Sequence, residues 1–77
     1  MLTDSTTVRL IETICLREGQ TELLSFHQQR VNRSRRQLFG IKKQLNLRTF
    51  LASQVLPSSG YHKIRIVYAK EVEECTI

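Results

Sequence analysis

Tyr61 to Ala69 (YHKIRIVYA) constrains the fold more than any other segment, because its alternation suits only one conformation. Ile64, Ile66 and Tyr68 would face one way and Lys63, Arg65 and Val67 the other, the period of a half-buried strand. Such a strand needs partner strands and a layer over its apolar face. The chain has 77 residues from which to build them. That length allows one small domain, residues 1–77, with little stability to spare.

Val8 to Leu16 (VRLIETICL) predicts a second strand. Val8, Leu10, Glu12, Ile14 and Leu16 share one face, and Arg9, Ile11, Thr13 and Cys15 the other. Apolar residues on both faces imply covering on both sides, which makes Glu12 an unusual occupant of its row. Arg17-Glu18-Gly19-Gln20 is a turn with Gly19 supplying positive φ, and Thr21 to Leu24 returns as a short strand. Ser25 and Gln28 have the spacing of a capping box, which predicts a helix from Phe26 to about Phe39. Gly40 is placed to end it in the left-handed region. His27, Val31, Ser34 and Leu38 form its narrow inward stripe, with Arg30, Arg33 and Arg36 on a neighbouring face and Arg35 further round.

A second helix is expected from about Asn46 to Gln54, capped by Asn46, with Leu47, Phe50 and Leu51 at helical spacing. Leu56 to Gly60 is a loop by composition. Ala69-Lys70-Glu71 turns the chain into a last strand, Val72 to Ile77. The order β-β-α-α-β-β predicts an α+β fold, an antiparallel sheet of two hairpins with two helices on one face. Ile77 closes an edge strand with no cap or polar tail, so further polypeptide is expected to follow it.

Hydrophobic residues make up 40% of the chain and charged residues 25%, which excludes a disordered tail. No apolar run approaches the roughly 20 residues of a membrane-spanning helix. The start, MLTDSTTVRL, lacks the pattern of a signal peptide, so a cytoplasmic protein is expected. Two cysteines, Cys15 and Cys75, are too few for a disulfide scaffold and read as reduced packing residues. Together with His27 and His62 they show none of the paired spacings of a zinc site, so no metal is expected.

The formal charge is +5, and its distribution says more than its total. Asp4, Glu12, Glu18 and Glu22 lie at one end and Glu71, Glu73 and Glu74 at the other. No acid occurs between Leu23 and Lys70, a stretch that holds Arg30, Arg33, Arg35, Arg36, Lys42, Lys43, Arg48, Lys63, Arg65 and Lys70. A block of this kind attracts phosphates or carboxylates, unless acids across the fold or on a partner neutralise it. Within it, His27-Gln-Gln-Arg30-Val-Asn-Arg-Ser34 places a planar, permanently charged fork near a helix start, the geometry that bidentate phosphate binding needs. By spacing alone, surface arginines on an amphipathic helix explain the same pattern.

The run Ile11-Glu-Thr-Ile14, the hairpin, Leu23-Leu24, and then His27-x-x-Arg30 with Ser34 resembles the N-terminal domain of class IV pyridoxal-phosphate enzymes. That family contains branched-chain and D-amino-acid aminotransferases and aminodeoxychorismate lyase. The resemblance spans about Val8 to Tyr68 and implies that Arg30 contacts the cofactor phosphate. The strand His62 to Tyr68 is similar to the family strand that follows the two helices, where Arg65 would meet a substrate carboxylate.

The family's chemistry also needs a Schiff-base lysine and an acid facing the pyridinium nitrogen, both in a second domain. None of Lys42, Lys43, Lys63 and Lys70 stands in a context like that of the family's lysine. The resemblance therefore implies the N-terminal part of a longer two-domain enzyme, inactive alone. Pyridoxal phosphate belongs to the complete enzyme and is not expected to stay on this chain by itself. Two other classes compete with this reading. One is a small basic nucleic-acid-binding module, disfavoured because Phe26, Phe39, Phe50, Tyr61 and Tyr68 fall mainly at core positions. The other is a homo-oligomeric association domain that covers the second face of the Val8–Leu16 strand.

Overall fold

A computed structural model describes residues 8–77. Residues 1–7, which include Asp4 and most of the opening stretch MLTDSTTVRL, lie outside the described residues. Six elements follow one another as β1 (Leu10–Arg17), β2 (Gln20–Thr21), α1 (Leu24–Phe39), α2 (Leu47–Ala52), β3 (Tyr61–Tyr68) and β4 (Val72–Thr76). The strands form one antiparallel sheet in the order β2-β1-β3-β4, and the fold is α+β as the pattern predicted.

β1 and β3 pair along eight residues, from Leu10 opposite Tyr68 to Arg17 opposite Tyr61. That register aligns the apolar row of β1 with Ile64, Ile66 and Tyr68. Val31 of α1 and Leu47 and Leu51 of α2 close over those rows, and with Ile14 and Leu16 they make the core. Non-polar area removed from water in this one layer is the main force holding so small a domain together.

β1 and β2 are joined by a two-residue loop with Glu18 at φ 49° and Gly19 at φ 79°, the left-handed pair that matches strand twist in a tight hairpin. Gly19 was expected in that region. Glu18 was not, and two bonds to one distant residue hold it there. Its N–H donates to the Gly60 carbonyl at 2.9 Å, and the Gly60 N–H donates to its Oε2 at 2.6 Å.

Several expectations need correction. β1 begins at Leu10 rather than Val8, and among the described residues it is covered on one side only. Ile11 on its outer face is 55% exposed, because the helices stack on the inner face and no described element lies over the other. Val67 alone on that outer side of β3 is buried, flanked by Ile11 and Glu74 in register.

α1 starts at Leu24, before Ser25, and its cap position is Leu23 at φ 56° with no side-chain cap bond. The Gln28 side chain is engaged elsewhere, so the capping box does not form. Its Nε2 donates to the Leu45 carbonyl at 2.7 Å, and its Oε1 accepts from the Leu47 N–H at 2.8 Å. Gly40 does end the helix at φ 67°, and Asn46 caps α2 by accepting from the Thr49 N–H at 3.0 Å.

The inward stripe of α1 is also different. His27, Val31 and Arg35 are buried, while Leu38 is 53% exposed. At its last turns α1 meets the backbone of two connections rather than the apolar sheet. Arg35 donates there to the carbonyls of Lys43 at 2.7 Å, Lys70 at 2.6 Å and Ala69 at 3.3 Å. Three carbonyls leaving water need a donor fork, which a leucine cannot supply.

Candidate functional site

Glu12 lies in the inner row of β1, opposite Ile66, and is only 2% exposed. A carboxylate so placed is costly unless donors meet it. α1 supplies two, because residues three apart on a helix project from the same side. His27 Nδ1 donates to Glu12 Oε1 at 2.5 Å. Facing an oxygen that accepts, this nitrogen carries the hydrogen. Arg30 donates through Nε to both carboxylate oxygens, at 3.1 and 3.2 Å, and through Nη2 to Oε1.

Arg30 is held on a face as well as an edge, since its guanidinium lies 5.1 Å from the centre of the Phe26 ring. Its side chain is nevertheless 47% exposed, and Nη1 has no partner among the described residues. One edge of the fork thus meets Glu12 and the other faces solvent. The hydrogen bond and charge of Glu12 raise the Arg30 pKa above its ordinary value. Tyr68, close to this group, has its pKa pushed up by burial.

The other sequence candidate is elsewhere. Arg65 is exposed on the outer face of the sheet, in register with Thr13 and Thr76, whereas Arg30 reaches the inner row. The two arginines are not brought together. Lys42, Lys43, Lys63 and Lys70 are exposed, and none donates to the Glu12 cluster. Cys15 is paired with the Tyr61 hydroxyl at 3.1 Å, and His62 Nε2 lies 2.9 Å from the Ser59 carbonyl oxygen. Cys75 sits beside Ile66, and burial raises its thiol pKa.

Of the twelve cations, Arg9, Arg17 and Arg30 have acidic partners and Arg35 is internal. The aromatic residues are less buried than their spacing suggested. Tyr68 is in the core, but Phe26 and Tyr61 are half exposed. Each has an arginine over its ring, Arg30 over Phe26 and Arg17 over Tyr61 at 4.9 Å, so that one face of each ring is already taken.

Glu12 is the functional candidate that residue patterning alone did not assign. Its signal was an acid standing in an apolar row, which needs an internal cation to be stable. Comparison with family models, with curated proteins and with solved structures gives no match for this chain.

Proposed function

We propose that this chain is the phosphate-holding part of a class IV pyridoxal-phosphate enzyme, with Arg30 as the residue that meets the cofactor phosphate. One observation carries the reading. The signature residues Glu12, His27 and Arg30 form a single contact cluster, and among the described residues nothing pairs with the outer edge of the Arg30 fork. A guanidinium can bind a carboxylate on one edge and a phosphate on the other, because its five N–H groups point in fixed directions. Glu12 and Phe26 hold that plane before any ligand arrives, which lowers the ordering cost of binding.

The residues present fit the phosphate end of the cofactor and no other part of it. When bound, pyridoxal phosphate serves as an electron sink for transamination or lyase chemistry at an amino acid. The lysine and the acid for that chemistry would come from outside these 77 residues, in a further domain. Arg65, on the opposite face, would meet a substrate carboxylate only if such a domain placed the substrate over the outer sheet.

Titration of the full chain with pyridoxal phosphate and with pyridoxal, followed by NMR, tests the reading. The phosphate form should shift the Arg30 Nε–H and the amides of the first turns of α1. Pyridoxal should not, and R30Q should abolish the effect. No shift at Arg30 would sink the assignment. A borohydride-fixed adduct on one specific lysine would overturn the claim that this chain lacks the Schiff-base residue.

A further inference from the structure

A cleft of about 380 Å³ lies between α1 and the connection into α2, lined among others by Gln28, Gln29, Asn32, Gln44, Asn46 and Arg48. Its volume falls in the range of small-molecule sites. None of Glu12, His27 and Arg30 lines it. Five carboxamides in one cleft say little until their orientations are known, because each has a donor end and an acceptor end.

Here the backbone dictates those orientations. The Leu47 N–H donates to Gln28, so the group facing it is Oε1. Gln28 Nε2 must then be the donor to the Leu45 carbonyl, and it also donates to Asn32 at 2.9 Å. Asn32 therefore accepts through Oδ1, and its NH2 group has no partner among the described residues. Asn46 is fixed in the same way. The Thr49 N–H occupies its Oδ1, and its NH2 group likewise has no partner among the described residues. Two amide oxygens thus face the protein and two amide donors are left over, beside an arginine with no ion pair among the described residues. Among the described residues no acid lines the cleft.

We propose that this cleft binds a small organic oxyanion, a phosphate ester or a carboxylate. Arg48 takes the charge, and the Asn32 and Asn46 amides donate to the oxygens. Gln29 and Gln44, which have no internal hydrogen bonds among the described residues, meet polar groups on the body of the ligand. Surplus donors next to a cation favour an acceptor-rich anion over a neutral polyol. The site is separate from Arg30 and stands whether or not that residue holds a cofactor phosphate.

The test is an NMR titration of the full chain with glycerol 3-phosphate, glycerate and glycerol, read at the side-chain amides of Asn32 and Asn46. At least one of the two anions should shift both amides saturably, and the tighter one identifies the anionic group. Glycerol should leave them in place. R48Q should weaken binding by about tenfold or more. N32D keeps an acceptor for Gln28 while replacing the unpaired NH2 with an oxygen, and should weaken binding at least as much. Non-saturating shifts, equal shifts with glycerol, or unchanged affinity in R48Q would overturn the site. So would saturable shifts at Arg30 alone, and that result would leave the cofactor reading intact. R48Q changes an exposed side chain with no internal hydrogen bond among the described residues, so its outcome does not depend on a refolded core.

Discussion

Leu23 occupies the left-handed region at φ 56° while 73% of its surface is exposed, so backbone strain there is not offset by burial. L23G should therefore raise stability by roughly 0.5–1 kcal/mol, measured as a higher urea midpoint. Arg35 is the opposite case, a buried charge that satisfies three carbonyls at once. R35A should cost about 2–4 kcal/mol, because those carbonyls lose their donors and the space is left unfilled. Within the Glu12 cluster the effects should be coupled. In a double-mutant cycle, E12Q with R30Q should destabilise markedly less than the two single changes added together, since either one alone leaves a group without its partner. Simple additivity would show that the pair contributes nothing specific.

At the scale of elements, the two glycines that end β1 and α1 work for the same conformational reason but in different surroundings. Gly40 has open space where a Cβ would go, so G40A should cost only the left-handed penalty, about 1 kcal/mol. A Cβ at Gly19 would approach the Ser58 carbonyl oxygen at 3.3 Å, so G19A adds crowding to the same penalty. Thermal unfolding should therefore rank G19A below G40A. Both glycines were legible from the pattern, as were the order of the elements and the Asn46 cap, but the second strand is Gln20–Thr21 rather than Thr21–Leu24, because α1 begins at Leu24. The start of α1 was not, because Gln28 had two competing offers. The unpaired backbone groups of Leu45 and Leu47 outbid the local box, and nothing within the Ser25–Gln28 window reveals those partners.

For the molecule as a whole, stability should fall at alkaline pH. Burial raises the Tyr68 pKa above its ordinary value of 10.0 and the Cys75 pKa above 9.0. Each group thus keeps its proton longer in the folded state than in the unfolded chain. Their contribution is fully present below those ordinary values and is lost as pH rises through the raised ones. Urea midpoints should hold up to about pH 9 and decline above it, and Y68F should flatten the upper part of that decline. The outer sheet face, open at Ile11 and Thr13, supports association with a second copy or a further domain. We expect a homodimer by light scattering, and a folded monomer at micromolar concentration would count against it.

Period, turn chemistry and charge order are local properties, and from them the sequence alone determined the element order, the fold class and the motif around Arg30. Contact across the chain is a different kind of information. Tertiary structure decided that β1 is covered on one side, that Arg35 replaces Leu38 inside, and that Glu12 receives His27 and Arg30 from fifteen and eighteen residues away. A strand pattern reveals which side chains share a face. It does not reveal which helix will supply the charge that makes an acid tolerable there, because that depends on packing between segments remote in sequence.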